Sequence, residues 1–239
     1  MSWNIIRLDT VDSTNEVAKI LVSEGVESRT VVVAQKQVEG RGRFGRSWSS
    51  PRGGLYVSII VREELSRLPL ITLAAGVAVV QALQAAGLKA TIRWPNDVLI
   101  RDAKAAGILV EGLVGPEAYW AIVGIGINSD FSLEDLPPQL RHQTTTLRHE
   151  LGHRVDNEDL LEGLLKAFQR VYPVTGEQAA VVDLCRQLCS TLGKNVVVDT
   201  GSGIIEGRAV DIGPSGYLVV ETKTGKRMDV AEGSILEEG

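Results

Sequence analysis

Between residues 40 and 48 the chain reads Gly40-Arg41-Gly42-Arg43-Phe44-Gly45-Arg46-Ser47-Trp48, and Gly53-Gly54-Leu55-Tyr56 follows shortly after. Three guanidiniums spaced by glycines offer forked donors suited to carboxylate and phosphate, on a backbone free to wrap an anion. The expected chemistry is capture of a small anion by a loop that orders around it. An exposed loop, or an arginine-glycine contact to nucleic acid with Phe44 and Trp48 as stacking groups, fits the same composition. A second segment, Arg93-Trp94-Pro95-Asn96-Asp97-Val98, places Asn96 and Asp97 beside a proline-fixed turn, where polar side chains meet a ligand. Lys104 follows among alanines just before an apolar strand, either as an enclosed ammonium facing an anion or as an edge-strand lysine. In a third segment, Gly124-Ile125-Gly126-Ile127-Asn128, alternating glycines let a ligand approach the backbone or mark a bulge.

These groups belong to a chain of 239 residues with a net charge of -5. Residues 35–52 carry +4, from Lys36, Arg41, Arg43, Arg46 and Arg52 against Glu39, so the other 221 residues carry -9. That distribution excludes a generally basic nucleic-acid binder and leaves room for a local anion site. Cys185 and Cys189 provide no disulfide framework and suit core packing in a reducing compartment. The N-terminus lacks the apolar stretch of a signal peptide, and the most apolar run, Leu68 to Val80, falls short of the roughly 20 residues that span a bilayer. A cytoplasmic protein with no membrane partner is expected. His149-Glu150-Leu151-Gly152-His153 fits H-E-x-x-H, but Gly152 stops a helix and Asp156 caps a new one, so no metal centre is expected there.

Strand and helix signals interleave around these segments, giving an α/β (α+β) fold with a mixed sheet flanked by helices. Strands are expected at 5–8, 30–35, 55–61, 90–93 and 98–100, with a hairpin of 106–114 and 119–127 about Gly115-Pro116. Ser13-Thr14-Asn15-Glu16 has capping-box spacing and opens a helix ending near Gly25. A second helix covers 70–86, and helices at about 157–172 and 177–192 pack the sheet. From Lys194 the rhythm changes to five short strands, at 196–199, 204–212, 217–221, 226–229 and 233–236, as in a small barrel. The expected domains are 1–192 and 193–239.

Taken together, Asp12-Ser13-Thr14-Asn15, Gln37 with GRGRFGRSW, GGLY, WPNDV at 94–98, Lys104, GILVEG at 107–112 and GIGIN at 124–128 resemble the biotin protein ligases. The resemblance runs from residue 8 to about 236 and implies a class II synthetase-like catalytic domain with a C-terminal SH3-like β-barrel. Because the pattern starts at Leu8, a monofunctional form without an N-terminal DNA-binding domain is expected. The implied activity joins biotin and ATP, with Mg²⁺, to give biotinyl-5'-adenylate and pyrophosphate, then passes biotin to a lysine of a biotin carboxyl carrier protein or domain. A homodimer is allowed, and no DNA partner is expected.

By the same resemblance, Ser13, Thr14, Gln37, Gly40, Arg41, Arg43, Lys104 and Gly107 fall on the biotin side. Arg43, Arg46, Trp48, Asn96, Asp97, Lys104 and Asn128 fall on the nucleotide side. Lys104 and Arg43 are the expected catalytic cations, because a carboxylate attacking an α-phosphate needs its like-charge repulsion removed. Asp97 is the candidate to orient the acceptor lysine or take its proton, or else a turn-stabilising residue. A lipoate ligase shares the general fold and adenylate chemistry and is the nearest enzymatic alternative.

Overall fold

A computed structural model of the chain describes residues 3–115, 118–172 and 178–239. The first half alternates β1 (Asn4–Val11), α1 (Thr14–Ser23), β2 (Thr30–Gln37), β3 (Leu55–Arg62) and α2 (Leu68–Ala85). Then come β4 (Thr91–Arg93), β5 (Asp97–Ile100), β6 (Ala103–Val114) and β7 (Tyr119–Ile127). The helices α3 (Leu147–Leu151), α4 (Asn157–Val171) and α5 (Gln178–Leu188) precede a run of strands: β8 (Asn195–Asp199), β9 (Ile204–Ile212), β10 (Leu218–Glu221), β11 (Arg227–Val230) and β12 (Ser234–Glu238).

The first seven strands form one sheet in the order β1-β2-β3-β7-β6-β5-β4. Only β1 and β2 run parallel, which is why α1 crosses between them. The central strands are buried on both faces, so alternate residues feed two cores. Val57, Ile59, Val123 and Ile125 join the core of α2, whereas Val32, Ile60 and Ile122 meet Ala18 and Val22 of α1. The last five strands form an antiparallel sheet in the order β11-β10-β9-β8-β12, with spans close to the expected ones.

Several details depart from the expectations. The apolar helix extends beyond the run seen in sequence: Leu65–Ala85 has a mean hydropathy of 1.8 and is long and apolar enough to cross a membrane. It is instead the core helix, since nearly all of its residues from Leu70 to Leu83 are buried. The helices α4 and α5 pack chiefly on α2 and form an outer layer rather than resting on the sheet. At its far end α5 stops at Leu188, because Cys189 bridges in parallel to Ile92 of β4. Pro116 of the expected hairpin turn and residue 177 of the last expected helix lie outside the described residues.

The H-E-x-x-H segment is broken as its glycine predicts. Gly152 adopts φ 74° at the end of the short α3, so His149 and His153 share no helix face. Glu150 is occupied elsewhere, accepting from Thr145 Oγ1 at 2.7 Å.

Candidate active site

The site lies on the α1 face of the sheet, where the helix stops covering it. In register across β3, β7 and β6, one row is Ile60, Ile122 and Glu111, of which the two isoleucines pack under α1. The next two rows are Ser58, Gly124, Leu109 and Tyr56, Gly126, Gly107. The glycines at 107, 124 and 126 help leave a cavity of about 460 Å³, walled by the start of α1, the 41–49 loop, the β4–β5 turn, Lys104 and residues 233–235 of the second sheet.

One end of the cavity is a buried polar corner. Ser13 occupies the N-cap position of α1 but makes no capping hydrogen bond, so the capping-box spacing leads to no capping box and the Ser13 hydroxyl is left to the cavity. Gln37 Oε1 accepts from the backbone N–H of Thr14 at 2.9 Å and lies 3.1 Å from Thr14 Oγ1, while Gln37 Nε2 donates to Ser50 Oγ at 2.8 Å. Behind Thr14, Ser58 Oγ lies 2.8 Å from Thr14 Oγ1 and 2.6 Å from Asn15 Oδ1. Asn15 Nδ2 donates to Glu111 Oε2 at 2.7 Å, and Lys19 Nζ pairs with Glu111 Oε1 at 2.8 Å.

The other end is cationic. Lys104 lies on the interior strand β6, which removes the edge-strand alternative, and its Nζ pairs with Asp97 Oδ1 at 2.6 Å. Arg93 Nη2 donates to Asp97 Oδ2 at 2.7 Å. Burial of Asp97 opposes ionisation, yet Lys104 and then Arg93 hold its carboxyl below the ordinary carboxylate value. With both oxygens claimed by cations, Asp97 is a poor proton acceptor and a good anchor for Lys104. Because its folded-state value is depressed, Asp97 stabilises the fold fully above its unfolded value of about 3.9, and this contribution fades as pH falls below that. Asp97→Asn should therefore unfold more readily than the unaltered chain at pH 7, with the two stability curves converging on acidification below about pH 4. Chemical denaturation across pH checks this, and parallel curves would count against the linkage.

Asn128 holds the strand that carries Lys104: its N–H donates to Ala105 O at 2.8 Å and its Nδ2 to Lys104 O at 3.2 Å. Asn96 Nδ2 donates to Ile108 O at 3.0 Å. Trp48 lies flat on the paired glycines of β6 and β7; a Cβ on Gly126 would come within 2.5 Å of its indole nitrogen, and one on Gly107 within 2.8 Å of its ring. Lys104 Nζ sits 5.1 Å from the Trp48 ring centroid.

The loop arginines reach across the mouth. Arg43 Nη1 donates to Gly233 O at 3.1 Å and approaches Asn96 Oδ1 at 3.5 Å, Arg46 donates to the Ser234 hydroxyl, and Arg41 pairs with Glu16 of α1 at 2.6 Å. Gly40 alone among the expected site residues does not line the cavity. A Cβ there would lie 2.6 Å from Ser50 Oγ, so this glycine permits close packing beneath the loop. Sequence reasoning left Asn15, Ser58, Glu111, Arg93 and the 232–234 turn unassigned. A serine inside the apolar run of β3 and a glutamate inside that of β6 were the available signals.

Residues 8–128 match the biotin/lipoate A/B protein ligase family, and residues 191–236 match the biotin protein ligase C terminal domain. The bifunctional ligase/repressor BirA of Bacillus spizizenii is 34% identical over 232 residues, which span 94% of this chain and 71% of that protein. The biotin--[acetyl-CoA-carboxylase] ligase of Paracoccus denitrificans is 31% identical over 236 residues, spanning 92% of this chain and 95% of that one. Among solved structures, the biotin protein ligase from Aquifex aeolicus in complex with biotin and ATP matches with a TM-score of 0.84 and 31% identity, covering 97% of this chain and 98% of that one.

Proposed function

The chain belongs to the biotin/lipoate A/B protein ligase family and is an ATP-dependent biotin protein ligase; we propose that the cavity over β6 and β7 is where it activates biotin and hands it on. The observation that carries this assignment is the polarity of one cavity, with the acceptor-rich Thr14–Gln37 corner at one end and Lys104, Arg43 and Arg46 at the other. A ligand with N–H donors at one end and a carboxylate at the other fits that layout, and biotin is such a molecule.

In the first step a carboxylate oxygen of biotin attacks the α-phosphorus of ATP, and the bond to pyrophosphate breaks with the electron pair leaving on pyrophosphate. Lys104, oriented by Asp97 and by the grip of Asn128 on its strand, lies between the two anions. Arg43 and Arg46 take up charge that builds on the phosphate oxygens. The carboxylates lining the cavity are Asp97 and Asp102, and Asp97 is held by Lys104 and Arg93. Mg²⁺ brought in with ATP would offset charge on the departing pyrophosphate. In the second step the neutral amine of the acceptor lysine attacks the acyl carbon, the acyl–oxygen bond breaks with its electron pair leaving on AMP, and the amine gives its proton to solvent.

Biotin protein ligases as a class act on biotin carboxyl carrier domains, and such a domain is the proposed acceptor here. We assign catalysis to residues 1–192 and place a separate unit at 193–239, whose 232–234 turn steadies the arginine loop. A cytoplasmic setting fits the two free cysteines, both buried. Lipoate is disfavoured by the match to the biotin ligase C terminal domain. A nucleic-acid role is disfavoured because the loop arginines turn to Glu16, Gly233 and Ser234.

Incubation with biotin, ATP, Mg²⁺ and a biotin carboxyl carrier domain should add the mass of one biotin to the carrier. No transfer would overturn the assignment, and preferential transfer of lipoate would redirect it. Arg43→Gly removes a group that spans the loop, Asn96 and Gly233, so the variant should release biotinyl-adenylate about tenfold or more faster. An unchanged release rate in a stopped-flow or filter assay would remove Arg43 from retention.

A further inference from the structure

The hydrogen bonds behind Thr14 run in one direction, and that direction is set outside the cavity. Taking the biotin-binding reading as its premise, we propose that Glu111, acting through Asn15 and Ser58, is a positioning residue that fixes the Thr14 hydroxyl as an acceptor toward the cavity. It thereby selects a ligand presenting N–H groups at that end.

Glu111 is ion-paired with Lys19, so it is a carboxylate that only accepts hydrogen bonds. Its Oε2 takes Asn15 Nδ2 at 2.7 Å, which turns the Asn15 amide oxygen toward Ser58. An amide oxygen donates nothing, so the 2.6 Å contact consumes the single Ser58 proton. The 2.8 Å contact between Ser58 Oγ and Thr14 Oγ1 then has a proton only if Thr14 supplies it. Gln37 Oε1, at 3.1 Å, competes for that Thr14 proton, but Ser58 Oγ at 2.8 Å is nearer; with the proton given to Ser58, Thr14 Oγ1 and Gln37 Oε1 are left as neighbouring acceptors, and Gln37 is held in that orientation by the backbone N–H of Thr14 and by Ser50. Two such oxygens match the N–H groups of a cyclic urea and repel a carbonyl or carboxylate.

The relay is built into the sheet. Ser58 is fully buried and Thr14 and Asn15 are 3% exposed, so solvent does not supply an alternative partner. Gly124, the register partner of Ser58 on β7, has no side chain because a Cβ there would fall on the Asn15 amide. The third segment's first glycine thus admits a positioning side chain.

Glu111→Gln keeps the shape and adds a donor. Lys19 claims the new amide oxygen, the amide nitrogen faces Asn15, and Asn15 turns over. Ser58 then accepts from Asn15 and donates to Thr14, which reverses the chain. Calorimetric titration of biotin into the full chain should show Kd raised about ten- to hundredfold in Glu111→Gln, and less in Ser58→Ala, which cuts the relay in the middle. With the carrier domain as acceptor, KM for biotin should rise similarly while KM for ATP and kcat at saturating biotin stay within about twofold. The preference for biotin over ureido-N-methylated biotin should shrink in both variants. Should Glu111→Gln fail to fold by thermal denaturation, Ser58→Ala carries the test. Unaltered affinity and preference in a folded variant would overturn the proposal, as would equal losses of ATP and biotin affinity. Failure of the unaltered chain to bind biotin would instead overturn the parent assignment.

Discussion

Lys104→Ala is expected to slow biotin-dependent pyrophosphate release by about 10²- to 10³-fold or more. In the proposed reaction the side chain stands between the two anions; it lies on an interior strand, 2.6 Å from Asp97 and over the Trp48 ring. Its ammonium is already aimed before substrates arrive, so little reorganisation is left for the reaction itself. Truncation leaves Asp97 paired with Arg93, so no isolated buried carboxylate is created and the fold should survive. Binding of ATP should weaken far less than turnover, because the lysine matters most when the carboxylate oxygen closes on phosphorus. The check is continuous pyrophosphate detection with saturating biotin and ATP, alongside a thermal melt of the variant. Release within a few-fold of the unaltered rate would remove Lys104 from the chemistry.

The cationic half of the site was legible in sequence because its signals are local. Lys104 stands among alanines, WPNDV surrounds a proline, and the arginines are spaced by glycines within nine residues. The uneven charge was legible too, and the structure shows its counterpart. Arg41 pairs with Glu16, Arg43 with Glu232 and Arg52 with Asp9, so the basic segment is partly neutralised by carboxylates elsewhere in the chain. What stayed hidden depends on register. Ser58, Asn15 and Glu111 are far apart in the chain and meet only because β3, β7 and β6 align Ser58 with Gly124 and Gly124 with Leu109. Read alone, Gly124 and Gly126 fit either ligand approach or a bulge; the strand register is unbroken there, and their first tasks are to admit the Asn15 amide and to seat Trp48. The capping-box spacing at Ser13 misled for a related reason, since Glu16 is taken by Lys19 and Arg41.

Trp94→Ala should lower the free energy of unfolding by about 3–5 kcal/mol, against a total of roughly 5–15 kcal/mol for a protein of this kind. Trp94 is 2% exposed and joins three parts of the molecule. Its backbone N–H donates to Thr191 Oγ1 at 3.1 Å, and its indole N–H donates to Gly216 O at 3.2 Å, in the β9–β10 turn of the second sheet. Gly216, at φ 83°, packs that turn against Leu73 of α2. The β4–β5 turn that carries Asn96 and Asp97 is therefore tied directly to the second sheet, and the same sheet reaches Arg43 and Arg46 through its 232–234 turn. Removing the indole should loosen both ties, so protease cleavage within 193–239 should quicken and KM for ATP should rise along with the loss of stability. Trp94→Phe is the milder change: it keeps one buried ring but loses the N–H and the volume of the second ring, so it should cost about 1–3 kcal/mol. Chemical denaturation of both variants checks the order, and an alanine cost below that of phenylalanine would mean that packing at Trp94 is not what couples the second sheet to the site.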